Sequence, residues 1–208
     1  DSYAMVVDGG AKRLMYTGDL RGHGRKGRLF ERMLTDPPQG VDTLLMEGTH
    51  VRADGPSPHD GPVASESDVE LAMAETFRGV PGLPVVVSSA QNIDRLVTVY
   101  RAARRAGRTL LIDLYTATVA AATGRATIPQ VGFPALGVYI PQRQRVRVKT
   151  SREFHRTHAI RAHRVFPEAL AAAPDRYVLL SGSSTVPELL RDPAVNVGVV
   201  VWSLWSGY

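Results

Sequence analysis

Two carboxylates set the chemistry that this 208-residue chain offers. Asp19 stands in Tyr16-Thr17-Gly18-Asp19-Leu20-Arg21-Gly22-His23-Gly24-Arg25-Lys26, a glycine-rich and strongly basic stretch. Glu47 follows the apolar run from Val41 to Met46. Each acid closes a strand-like segment, the first of them Arg13 to Thr17. A carboxylate at a strand end can share its oxygens between divalent cations. Arginine and lysine hold phosphate oxygens without reading sequence. Acids beside a cationic loop therefore read as part of a site for a metal and a phosphate-bearing substrate. Arg21, Arg25, Lys26 and Arg28 are expected to capture phosphate, against the alternative of a solvated loop and helix start. Cations at a helix N-terminus oppose its dipole, which favours the functional reading. His23 either touches phosphate or faces solvent.

The same stretch fits another pattern. Gly22-His23-Gly24-Arg25-Lys26-Gly27 matches the G-x-G-x-x-G of dinucleotide-binding loops, and Glu47 lies 20 residues past Gly27. Such a loop sets its first glycine in the immediate strand-to-helix turn, where backbone approaches a pyrophosphate. Here Gly22 falls several residues beyond the strand, that strand belongs to a hairpin, and His23, Arg25 and Lys26 crowd the loop. The glycines are expected to shape the loop, leaving Asp19 to carry the chemistry. A dinucleotide-binding enzyme ranks last.

Composition bounds the partners. At 44% hydrophobic and 22% charged, the chain is ordinary for a globular protein large enough for a real core. No apolar run reaches the ~18 residues that span a bilayer, and no charged-then-apolar leader opens the sequence. No membrane partner is expected. Cysteine is absent, which removes disulfides and thiolate metal sites and suits a reducing, cytoplasmic setting. The net charge of +5 conceals an asymmetry. Residues 41–80 carry a net −6, whereas residues 101–164 carry twelve arginines and Lys149 for a net +11. That block is either a track for a polyanion or an Arg-rich solvated surface.

Other candidates weigh less. His155 and His158 have an i, i+3 spacing that binds metal when acids join it. Arg152, Arg156, Arg161 and Arg164 surround them, so a basic exposed segment is the reading. His50 and His59, in an acidic loop, read as solvated. Arg101, Arg104, Arg105 and Arg108 share one helical face opposite Ile93, Leu96, Val97 and Tyr100, and are expected in solvent. Phe166, Tyr177, Trp202 and Trp205 fall in apolar contexts and read as core, not as a stacking platform for bases.

These residues need elements to position them. Tyr3–Val7 and Lys12–Thr17 flank the turn Asp8-Gly9-Gly10. A short helix, Arg28 to Leu34, stops before Asp36-Pro37-Pro38. Val41 to Met46 reads as a buried strand, Arg52 to Pro62 as an exposed loop, and Ser65 as the cap of a helix to Phe77 with Asp68 as its capping-box acid. After Pro81-Gly82, strands at Leu83–Val87, Thr109–Ile112, Gly137–Ile140, Tyr177–Leu180 and Val197–Val201 alternate with helices. The helices are expected over Asn92–Ala106, Tyr115–Ala122, Ser151–His163, Pro167–Ala173 and Val186–Arg191. Such alternation implies an α/β fold with a parallel, doubly wound sheet. The apolar runs at both ends read as strands needing neighbours, which makes the chain a segment of a longer protein.

Three stretches resemble a known family. Thr17-Gly18-Asp19-Leu20-Arg21 and Leu44-Leu45-Met46-Glu47-Gly48-Thr49 resemble consecutive motifs of the metallo-β-lactamase fold. Ser88-Ser89-Ala90-Gln91-Asn92-Ile93-Asp94-Arg95 resembles the start of the β-CASP domain inserted in that fold. Ribonuclease J and the pre-mRNA 3′-end endonuclease belong to that group. The resemblance implies part of an αββα metallo-β-lactamase-like domain over residues 1–80. It implies a Rossmann-like β-CASP domain over residues 81–208, incomplete at its C-terminal end. It further implies that Asp19 bridges two zinc ions, and that Glu47 supports a histidine near them and helps relay protons. Ser89, Asn92 and Arg95 would lie near the substrate cleft. The family hydrolyses phosphodiesters, in RNA and in some branches DNA, with two metals activating water.

The departures bear on activity. The family's His-x-His-x-Asp-His cluster is absent, its next ligand histidine would precede Asp1, and the later ones would follow Tyr208. A catalytic zinc takes at least three protein ligands, so the segment alone is expected to be inactive. The expectation is the central part of a zinc-dependent nuclease with RNA as its partner, its exposed strand edges implying either marginal stability or association into a homo-oligomer. Two alternatives remain: a same-fold hydrolase of a smaller ester or phosphoester, and a non-catalytic basic module that binds nucleic acid or protein.

Overall fold

The computed structural model describes residues 3–20, 22–48 and 64–204. Arg21, the acidic loop with His50 and His59, and Trp205 to Tyr208 lie outside the described residues. The chain divides into two compact units, residues 1–67 and 68–208. No described helix is long and apolar enough to cross a membrane.

Turn chemistry opens the first unit. Strands β1 (Met5–Asp8) and β2 (Arg13–Tyr16) pair antiparallel, with Asp8 opposite Arg13. The Asp8 carboxylate accepts the Gly10 N–H at 3.1 Å and the Arg13 guanidinium at 2.8 Å. Helix α1 (Gly27–Thr35) then carries the chain to β3 (Thr43–Leu45), which pairs with β2 in parallel. Asp42 fixes that register by accepting the Arg13 N–H at 2.8 Å and the Lys12 ammonium at 3.1 Å.

The second unit takes most of helix α2 (Glu66–Gly79), whose Met73, Ala74 and Phe77 pack into its core. The division therefore falls ahead of Pro81-Gly82. Six parallel strands follow: β4 (Leu83–Val87), β5 (Thr109–Ile112), β6 (Leu136–Tyr139), β7 (Arg164–Val165), β8 (Tyr177–Ser181) and β9 (Val197–Trp202). Their order in the sheet is β7-β6-β5-β8-β4-β9. β4 is buried along its whole length, as a central parallel strand covered on both faces must be. Its Pro84 lacks an N–H, and the ladder with β9 shifts register at Leu83/Pro84 to accommodate it.

Helices cover the two faces. α3 (Ile93–Arg105), α4 (Leu114–Ala122) and α5 (Gln142–Ser151), which follow β4, β5 and β6, pack with α2 on one side. Leu96, Val99, Ala117 and Val148 are among their buried contacts. After a short turn α6 (His155–His158), helices α7 (Pro167–Ala172) and α8 (Val186–Arg191) place Leu170 and Leu189 against the other side. This is the expected Rossmann-like α/β arrangement. β8 thus lies between β5 and β4 but leads to the opposite face from both.

Several expectations change. The segment expected as a buried strand at Val41–Met46 is only the three residues of β3, with Leu44 and Leu45 51% and 49% exposed. The basic helix lies earlier than Ser151–His163: α5 begins at Gln142, and Arg152 ends it in the left-handed region at φ 57°. Its sequence alternates arginine with valine and buries Val148 alone, so no helical stripe marks it. Arg108 is buried, not solvated. Gly107, at φ 73°, turns the chain inward after α3, and the Arg108 guanidinium donates to Val80 O at 2.6 Å and Gly82 O at 2.7 Å. Two aromatics expected in the core are on the surface. Trp202 is an outward residue of the edge strand β9, and Phe166 stacks under Arg164 at 4.4 Å.

Candidate functional site

In the first unit, parallel pairing brings the two predicted acids to one edge. Tyr16 lies opposite Leu45, and the Thr17 N–H donates to Leu45 O at 3.0 Å. Both strands therefore leave the sheet side by side. Gly18, buried and at φ 61°, turns the chain where a side chain would be strained. Asp19 follows at the surface, and the next residue reaches back: the Leu20 N–H donates to Glu47 Oε1 at 3.0 Å. Glu47 thus fixes the backbone beside Asp19.

The glycines beyond Asp19 shape the loop. A Cβ on Gly27 would lie 2.8 Å from Gly22 O, and one on Gly22 would lie 3.2 Å from the Phe30 ring. They are places of close packing. His23 and Lys26 are exposed and Arg25 is half-buried, while Arg21 lies outside the described residues.

In the second unit, Ser88 and Ser89 follow β4 directly. Asn92 caps α3, its Oδ1 accepting the Arg95 N–H at 3.0 Å. The Arg95 guanidinium donates to Ser203 Oγ just past the end of β9. Asn92 and Arg95 therefore hold the β4–α3 turn, whereas Ser89 lines a cleft of about 460 Å³ over the carboxyl ends of β4, β5, β6 and β8.

The sequence reading did not single out the rest of this cleft. Asp113, just past β5, is buried and caps α4 by accepting the Thr116 N–H at 2.7 Å. Its other oxygen accepts the Ser181 hydroxyl at 2.8 Å, and Ser181 lies 2.7 Å from the Thr185 hydroxyl. The Gly182-Ser183-Ser184 turn continues the wall, and Arg143, Arg147 and Arg156 stand around it. The signal was available: Asp113 and Ser181-Gly182-Ser183-Ser184 each close an apolar run, which is where a parallel sheet presents its ligand groups.

Among the described residues, no three His, Cys, Asp or Glu side chains group closely enough to hold a metal ion. A catalytic zinc takes at least three protein ligands. The described residues therefore do not complete a metal centre. No protein-family model matches the chain, and the search of curated proteins returned no match.

Proposed function

We propose that this chain is the central part of a metal-dependent phosphodiester hydrolase acting on nucleic acid, with RNA as its substrate. One observation carries the reading. Adjacent parallel strands deliver Asp19 and Glu47 to one edge, with the Leu20 N–H bonded to Glu47, at the start of a basic loop. Asp19 is proposed as one carboxylate ligand to zinc. The described residues do not supply the remaining ligands, so no hydrolytic step is assigned to them alone. Glu47 positions the Asp19 loop. Arg25 and Lys26 offset the charge of an approaching phosphate.

Metal analysis of the native protein tests this. About two zinc ions per chain are expected, as two-metal phosphodiester hydrolysis requires, and Asp19→Ala should release them without loss of helical circular dichroism. A native protein that binds no metal and cleaves no RNA would overturn the proposal. A second reading, a non-catalytic basic module, draws on α5, where Arg143, Arg145, Arg147 and Lys149 lie on one ten-residue helix. RNA binding in the presence of a chelator, with no cleavage when zinc is restored, would select it.

A further inference from the structure

We propose that the cleft at the carboxyl ends of the second unit's strands binds a phosphate group, carried by a mononucleotide or by a polynucleotide. The choice of phosphate among anions rests on the phosphodiester reading; the site itself does not. Its position is the first argument. β5 and β8 are neighbours, yet β5 continues into α4 on one face of the sheet and β8 into α8 on the other. Open α/β sheets bind ligands in the crevice that such a divergence opens.

The second argument is an unmet hydrogen bond. Ser88 is 5% exposed and lines the cleft, and its Oγ has no hydrogen-bond partner among the described residues. A buried hydroxyl without a partner destabilises the fold. An oxygen-rich ligand in the cleft supplies the missing acceptor.

Charge selects the ligand. Arg143 and Arg147, one helical turn apart on α5, line the cleft together with Arg156, which Glu153 holds at 3.0 Å. The one acid among the described lining residues, Asp113, already accepts from Thr116 and Ser181. Both of its oxygens are thus engaged within the protein. Hydroxyls at Ser89, Ser183 and Ser184 complete a lining of donors. Three guanidinium groups and several hydroxyls against one hydrogen-bonded carboxylate are the chemistry of an anion site. Tyr115, 50% exposed on the rim, stands where a base can stack.

Calorimetry on the 208-residue chain, with chelator present, tests the site using inorganic phosphate, adenosine monophosphate and a short oligoribonucleotide. Saturable binding of phosphate, displaced by the other two, is expected. Ser88→Ala should weaken it by about tenfold while leaving the ligand-free melting temperature unchanged or raised, since it removes an unpaired hydroxyl. A merely structural serine would show the reverse. Arg147→Glu should abolish binding, and Arg104→Ala, on the exposed surface of α3, should not alter it. Tighter binding of the mononucleotide identifies a free nucleotide as the source, and tighter binding of the oligonucleotide identifies a polynucleotide. No saturable binding of any probe, or binding unchanged in both Ser88→Ala and Arg147→Glu, would overturn the site. Phosphate binding without RNA cleavage by the native protein would count against the hydrolase reading alone; cleavage without phosphate binding here would count against this site alone.

Discussion

Arg108 shows how far a single side chain can depart from its helical-wheel position. Spacing places it with Arg101, Arg104 and Arg105, but Gly107 turns the chain after α3 and sends its side chain to the amino ends of β4 and β8. Burial lowers its pKa from the ordinary arginine value, yet its donors meet the carbonyls of Val80 and Gly82. Arg108→Met strands both carbonyls and should cost about 2–3 kcal/mol in urea denaturation, whereas Arg104→Met should cost under about 1 kcal/mol. Gly18 makes a second case. Its φ of 61° predicts that Gly18→Ala costs about 1–2 kcal/mol and displaces Asp19. The placement of Asp19 and Glu47 just past paired strands was legible in the sequence, because a strand end, a glycine and an acid are all local signals. Ser88 was not, because a missing hydrogen-bond partner is a property of the packed structure.

Among the elements, α5 was the least legible and matters most to the cleft. Its alternating arginine and valine resemble no buried helix face. Buried Val148 anchors its body, and Glu188 of α8 holds its start, both carboxylate oxygens lying 2.9 Å from the Gln142 nitrogen. The same carboxylate faces the Tyr139 hydroxyl at 3.4 Å. Burial first, and then the Glu188 charge, pushes Tyr139 up to about 12 from an ordinary value of 10.0. A tyrosine raised in the folded state contributes stability that is complete below its unfolded pKa and lost as pH climbs through the folded one. The melting temperature should therefore fall between about pH 10 and 12, and Tyr139→Phe should flatten that slope. Glu188→Gln should move the Tyr139 midpoint, read by ultraviolet absorbance, downward while leaving it above that of free tyrosine. β3 was misjudged for a different reason. An apolar run signals a strand, but only its neighbours decide whether it is covered, and Leu44 and Leu45 are half exposed.

For the molecule as a whole, the α/β class was readable because central parallel strands must be apolar throughout, as in Leu83–Val87. Strand order was not. Periodicity locates elements, whereas the insertion of β8 between β5 and β4 depends on contacts distant in sequence. That insertion creates the divergence over which the cleft opens. Charge acts at this scale too. The +11 of residues 101–164 predicts that RNA binding weakens steeply as salt rises, and affinity indifferent to salt would remove the phosphate track from the account. Cleavage of labelled RNA by the native protein with zinc tests most directly the proposed roles of Asp19 and Glu47 in phosphodiester hydrolysis. Glu47→Gln should slow cleavage by about 10–100-fold and Asp19→Asn by more than about 100-fold. Wild-type rates in both variants, or no cleavage by the native protein, would contradict those roles.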